Sequence, residues 1–303
     1  MPLKPTTTYF NPELTRELIT ITQGKSSIAR LCKQEPIPFN GTEQFTFDLD
    51  NEVDVVAENG KKSKGGATIE PVKIIPVKIE YGARFSDEFM HASDEYLVSV
   101  TKSFTEGFAK KLARGIDLMA LHGINPRTGE KSDVIGKNNF DDKVTNKVTQ
   151  TDNPDRDIEA AVQMVLGGGG LVTGLAVAPQ FAADLAKYQE NGRRPFEELA
   201  WGGNPDKIRG LDLSVNETVA ANQSKDRALV GNFAERFKWG YADSISFEVI
   251  EYGDPDNTGK DLKGYNQVYL RSEAYVGWGI LQPASFALVN EADSPEGDGR
   301  EKN

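Results

Sequence analysis

An α+β fold carrying a projecting appendage is what this sequence predicts, on three observations. A few helices are interspersed with many short strands, one helix is far longer than the rest, and ahead of it runs a two-stranded ribbon with too little apolar surface to hold itself together. The ribbon is expected over residues 38–81. On its outgoing side Phe45, Phe47 and Leu49 alternate with polar residues, and Val53 and Val55 continue the period of two. Ile75, Val77, Ile79 and Tyr81 repeat the alternation on the way back, and ENGKKSKGG (58–66) forms the tip. Isolated two-stranded hairpins are marginal in water, and an exposed strand edge invites pairing with another chain. The ribbon is therefore expected to lie across a neighbouring subunit.

The other elements follow in order. Residues 1–37 offer only a short helical pattern, Leu14, Leu18 and Ile21 before Gly24, and read as an arm too small to fold alone. After the ribbon, Tyr96, Leu97, Val100, Phe104, Phe108, Leu112, Ile116 and Met119 step by three and four, which predicts a helix over 94–122 capped near Ser93 and Asp94. At 1.5 Å per residue it spans roughly 43 Å, a spine rather than a core element. Gly107 and Gly115 inside it mark a close approach or a slight bend. A strand is expected between 140 and 150, from Val144 and Val148. Asn153 and Pro154 then open a helix in the preferred way, with Ile158, Val162 and Val165 on one face and Gly167 to Gly170 ending it. A buried strand, LVTGLAVA, stops at Pro179, and a helix runs through Phe181, Leu185 and Tyr188. Strands are expected at 210–215, 228–233, 245–252, 266–271 and 285–289. The tail after Asn290 lacks apolar content and reads as disordered.

Composition narrows the function. With 35 basic and 46 acidic residues the net charge is -11, which disfavours a surface built for phosphate backbones or anionic membranes. Lys61, Lys62 and Lys64, and Arg193 and Arg194, read as solvated loop charges. The single cysteine, Cys32, forms no internal disulfide and reads as a small buried hydrophobe rather than a nucleophile. No secretory signal or membrane span is visible, so the sequons at Asn40, Asn216 and Asn222 are chance.

The motifs that would carry chemistry are each incomplete. The glycines at 167–170 lack the Lys-Ser/Thr ending of a P-loop, and they follow a helix where a dinucleotide fingerprint would precede one. Asp254, Asp256, Thr258 and Gly259 match half of a calcium loop, but Tyr265 stands where the bidentate glutamate belongs, so a turn is expected. His91 and His122 lie at opposite ends of the long helix and share no site; His122 suits the helix C-terminus and its last carbonyls. Trp201, Trp239 and Trp278 read as core or interface anchors. The sequence thus predicts no catalytic residue, no cofactor and no metal.

The order of segments carries more. An arm, a ribbon with a Gly/Lys tip, VKIEYGARFSDEFM leading into the long helix, and HGINPRTGEKS after it together resemble the major capsid proteins of tailed phages with the HK97 fold. LAVAPQFAADLAK resembles the strand-helix step of that family's axial domain, IRGLDLSVNET and DRALVGNFAERFKWGY its later strands, and VYLRSEAYVGWGILQPASFALV the return into the peripheral domain. The resemblance implies an arm (1–37), an extended loop (38–81), a peripheral domain with the spine helix (82–151), an axial domain (152–275), and a return strand with tail (276–303).

It also implies a shell subunit, assembled as pentamers and hexamers into the icosahedral head of a virion around double-stranded DNA, and made in the host bacterial cytoplasm. The ribbon face (Phe45, Phe47, Val53, Val55, Ile75, Val77) would lie on the adjacent subunit, and the tip (Asn59, Lys61, Lys62, Lys64) would make a further contact. The chain begins almost directly at the arm, so the scaffolding protein is expected to be separate or the sequence to be a processed form, and Met1 favours the first; portal and decoration proteins are further partners. Some members crosslink lysine to asparagine, but no matching asparagine and glutamate context is recognisable here, and that chemistry is not carried over. A compartment shell of the encapsulin type is the rival within the fold, and a carboxylate hydrolase the rival of another class.

Overall fold

The computed structural model describes residues 8–9, 25–49, 52–88, 94–243 and 245–292. Along the chain come β1 (Thr8–Tyr9), a short helix α1 (Ser27–Leu31), β2 (Thr42–Leu49), β3 (Ala67–Ile74), β4 (Val77–Ser86) and the spine helix α2 (Asp94–His122). The one-turn helix α3 (Phe140–Lys143), β5 (Lys147–Thr149), α4 (Pro154–Gly167), β6 (Gly174–Val177) and α5 (Pro179–Lys187) follow. The last third holds β7 (Lys207–Ile208), β8 (Leu211–Val215), β9 (Asp226–Gly231), the one-turn α6 (Phe233–Arg236), β10 (Phe237–Tyr241), β11 (Ser246–Ile250), β12 (Gln267–Ile280) and β13 (Phe286–Asn290).

Two sheets organise these elements. In the five-stranded sheet the 14-residue β12 is central: β4 runs antiparallel along one side, from Gln267 opposite Ser86 to Val276 opposite Val77. On the other side lie β11 and then β10, and β1 pairs with the outer edge of β11. The second sheet has six strands in the order β5-β13-β9-β6-β8-β7.

That second sheet is a partition between two cores, and the period of two shows why. Phe286 and Leu288 of β13 point into a core shared with the spine helix, while Ala287 and Val289 point into a second core under α4 and α5. Leu229 against Ala228 and Val230, and Ala176 against Leu175 and Val177, divide in the same way. The first core is closed by Trp239 and Trp278 against Phe108, Leu112 and Ile116 of the spine helix; the second by Phe181, Leu185 and Phe196.

The spine helix coincides with its expected bounds, and so does the Asn153 cap, whose side chain accepts from the Arg156 N–H at 3.1 Å. At Gly107 an added Cβ would meet nothing within 4 Å, and at Gly115 the nearest atom is Pro126 Cγ at 3.5 Å. Neither glycine is required by packing within the subunit. Gly107→Ala should therefore raise subunit stability by about 0.5–1 kcal/mol, through lower unfolded-state entropy and better helix propensity, read as a shift of the urea midpoint.

Several expectations need correction. The return side of the ribbon is β3, not 75–81: Ile79 and Tyr81 sit in β4, opposite Ala274 and Ser272 of β12. Residues 77–86 alternate cleanly, whereas 67–74 change parity between Ile69 and Val72 and carry Pro71, yet proline is tolerated in a ribbon that is all edge. Residues 25–37 are not a free arm, because Ile28, Leu31, Cys32 and Ile37 are buried and the Glu35 and Ile37 N–H groups donate to Trp239 and Tyr241 carbonyls on β10. A strand was expected from residue 140, but Phe140–Lys143 is a helical turn and β5 begins at Lys147. Pro179 does stop the strand, as expected: β6 ends at Val177 and Pro179 opens α5, since a helix's first turn needs no proline N–H. The boundary drawn at residue 275 falls inside the continuous β12. Trp239 and Trp278 are core, whereas Trp201 is fully exposed. The Leu14–Ile21 pattern, Ser93, His91 and the tail from residue 293 lie outside the described residues.

Candidate assembly interface

The ribbon is anchored before it projects. Gly41, at φ +81°, turns the chain into β2 where a Cβ would stand 2.8 Å from the Ile74 carbonyl oxygen, so only glycine fits both the turn and the approach. Ile74, 1 % exposed, closes β3 by seating on a bare strip of β12. A Cβ at Gly277 would lie 3.2 Å from Ile74 Cγ2, and one at Gly279 only 2.7 Å from Ile74 Cγ1. Phe39 packs edge-on against Tyr275 beside this seat, with ring centroids 4.9 Å apart. Gly279→Val should unseat Ile74, costing about 1–3 kcal/mol as overpacking and tilting the ribbon; thermal unfolding and particle yield measure the two effects.

From that root, β2 and β3 pair antiparallel from Thr42 opposite Ile74 to Leu49 opposite Ala67. Lys73 and Glu43 form a cross-strand ion pair at 3.2 Å. Phe45 lies opposite Pro71 and is 57 % exposed. Beyond the strands, 52–66 leave the ladder: Val53 and Val55 are 93 % and 96 % exposed but belong to no strand, which corrects the continued alternation. Asn59 takes a left-handed φ of 66° in a turn closed by the Gly60 N–H on the Ala57 carbonyl, and Lys61, Lys62 and Lys64 are exposed. Phe47 shares the register of Phe45 by alternation. Ile75 is exposed in the link between β3 and β4, but Val77 packs partly buried against the first core and so leaves the ribbon face.

Sequence reasoning missed the polar junction that holds the start of α1 on the spine helix. Asp117, fully buried on the spine helix, accepts from Ser26 Oγ at 2.5 Å, Ser27 N at 2.8 Å, Ile28 N at 3.1 Å, Thr218 Oγ1 at 2.7 Å and Asn216 Nδ2 at 3.3 Å. Burial lifts its carboxyl above the ordinary range, and the donors oppose that lift. One carboxylate thus ties the start of α1, the spine helix and the 216–218 turn together. The available signal was a carboxylate one residue after Ile116, on the stripe of the helix that is buried.

The remaining chemical candidates resolve as structure. Cys32 is buried with Sγ 3.2 Å from the Phe237 carbonyl, and burial pushes its thiol up to about 12, so it is no nucleophile. In the calcium-like loop Asp254 accepts from the Thr258 and Gly259 N–H groups at 3.0 and 2.7 Å, as a turn does. Its cation is a protein one: Arg84 of β4 donates to Asp254 at 2.6 Å, to Asp256 and to the Lys260 carbonyl.

The hydrogen bond from Arg84 holds the Asp256 carboxyl at about 2, below its ordinary 3.8. A carboxyl whose folded pKa is depressed adds stability above its unfolded pKa and loses it as pH falls through the folded one. Wild type should therefore shed this contribution between about pH 4 and about pH 2. Asp256→Asn should flatten that part of the acid-unfolding curve. His122, expected to meet the last helix carbonyls, bonds instead to Asp141 and to the Thr218 carbonyl.

With this geometry in view, comparison with known proteins is decisive. The model of the phage capsid family matches residues 9–290. The chain belongs to the phage capsid family. Among solved structures, one from Mycobacterium phage Ogopogo is 33 % identical with a TM-score of 0.74, over 88 % of this chain and 92 % of the other. One from Gordonia phage Cozz is 22 % identical at a TM-score of 0.74, over 89 % and 87 %. A capsid of a native GTA particle shares the fold at 12 % identity and a TM-score of 0.64, over 96 % and 94 %. No curated protein matches the chain. The fold is the HK97-like capsid fold, and the chain is a major capsid protein of a tailed phage head, self-assembling into the shell of the virion. Its family's work is structural, which removes the hydrolase reading.

Proposed function

We propose that the chain tiles an icosahedral head as rings of five and six subunits, each ribbon lying across the adjacent subunit. Phe45, Phe47, Val53 and Val55 cover that neighbour, and Asn59, Lys61, Lys62 and Lys64 at the tip meet a further subunit. The observation that carries this reading is the nearly complete exposure of Val53 and Val55 at the end of a ribbon rooted by the buried Ile74. An apolar stretch held out from its own body is stabilised by burial elsewhere, and large permanent interfaces commonly bury about 2,000 Å² or more.

The peripheral region with the spine helix and the axial region form the wall, and β12 runs unbroken through the boundary expected at residue 275. Double-stranded DNA is enclosed without sequence-specific contact, which suits a chain of net charge -11. Scaffolding comes from a separate protein, and portal and decoration proteins join the head. Synthesis is in the host bacterial cytoplasm, and among the described residues no helix is long and apolar enough to cross a membrane.

A photo-crosslinking amino acid at position 55 tests the ribbon contact in assembled particles. Covalent dimers whose second peptide maps to the body of another subunit are expected. Crosslinks confined to the subunit's own body would refute the proposal.

A further inference from the structure

Three ionisable side chains from three elements meet where the end of the spine helix reaches α3 and β9. His122 is 3 % exposed and Asp226 5 %, and Asp141 completes the group. The imidazole Nε2 stands 2.9 Å from the Thr218 carbonyl oxygen. A carbonyl only accepts, so Nε2 carries a proton and donates it, and the lone pair of a neutral ring falls on Nδ1. That nitrogen faces Asp141 Oδ2 at 2.9 Å and Asp226 Oδ2 at 3.6 Å. One ligand atom from each residue lies within 4.8 Å of the other two.

The surroundings match what a metal ligand set needs. A ligating histidine almost always gives its other N–H to a carbonyl or carboxylate, as His122 does to Thr218, and ligating carboxylates are themselves hydrogen-bonded. Asn290 Nδ2 donates to Asp226 Oδ1 at 2.6 Å. The remaining Asp141 oxygen, Oδ1, is buried without a hydrogen-bond partner among the described residues. Two carboxylates around a neutral ring put two negative charges in the interior, where an uncompensated charge costs several kcal/mol. Two protons can neutralise the group, and so can one divalent cation.

We propose that His122 Nδ1, Asp141 and Asp226 bind one divalent transition-metal ion of the zinc type. One imidazole nitrogen with two carboxylates suits Zn²⁺, and a set without thiolate gives no preference for softer ions. The ion would tie residues 122, 141 and 226 together and so join the spine helix to the partition sheet. This inference stands on the cluster alone and does not depend on how the ribbon docks.

The test titrates chelator-stripped full-length protein with ZnCl₂ by calorimetry, and with Co²⁺ by visible absorption, in wild type, Asp141→Asn and Asp226→Asn. Circular dichroism first shows which variants fold; the isosteric amides make each a separate chance, and the Co²⁺ spectrum of wild type reports nitrogen and oxygen ligation whatever they do. Expected are one equivalent bound per chain, a Tm raised by roughly 5 °C at saturating Zn²⁺, and at least a tenfold loss of affinity in either folded variant. Absence of stoichiometric binding, or equal binding by a folded variant, would overturn the proposal.

Discussion

Replacing residues 59–66 with a short Gly-Ser turn is expected to leave a folded subunit that no longer closes into shells. The fold survives because 52–66 lie outside every sheet and are exposed, while the seat of Ile74 on Gly277 and Gly279 is far from the tip and stays intact. Loops of this kind are tolerant of change thermodynamically, since halving their length alters closure entropy by only about 0.6 kcal/mol. Assembly is another matter, because a shell repeats each lost contact at every subunit. Particle yield should fall at least tenfold while the far-ultraviolet circular dichroism and the urea midpoint stay at wild-type values. Normal particles from this variant would show that the tip makes no essential contact.

Asp117→Ala should produce the largest loss of subunit stability, about 3–5 kcal/mol, the range for breaking one side of a buried charged network. The reason lies in what the alanine abandons: the Ser27 and Ile28 N–H groups and the Ser26 and Thr218 hydroxyls, all buried, lose their acceptor together. For a domain with a typical margin of about 5–15 kcal/mol, that is a substantial fraction. Asp117→Asn should cost less, since the amide keeps one acceptor oxygen. Urea unfolding measures both. A midpoint for the alanine variant within experimental error of wild type would mean that α1 is held by the burial of Ile28 and Leu31 alone.

What was legible in the sequence was whatever a local period records. The spine helix was readable because its apolar residues step by three and four over eight turns, and α4 because Asn153 and Pro154 announce it chemically. The ribbon was readable as a ribbon, but its return strand was not, since 77–86 alternate more cleanly than 67–74 and only tertiary pairing decides which one meets β2. β10 was missed although Phe237, Trp239 and Tyr241 alternate with Lys238 and Gly240; what the pattern does not show is that Gly240 lies under the backbone of Glu35, where a Cβ would fall 1.7 Å from the Glu35 carbonyl oxygen. The Asp117 and His122 clusters were invisible for a related reason. Their partners come from positions 26–28, 216–218, 141 and 226, and no spacing rule links residues that only the fold brings together. Arg84 shows the same lesson from the other side, since the loop that resembles half a calcium site has its cation supplied by a strand 170 residues earlier in the chain.

The central claim is that this subunit is built to assemble through its projecting ribbon, and negative-stain electron microscopy of the purified protein tests it most directly, alongside size-exclusion chromatography and with and without co-expressed scaffolding protein. Closed shells, or rings of five and six subunits, are the predicted result; a monomer under every condition, at high concentration and with scaffold present, would contradict it.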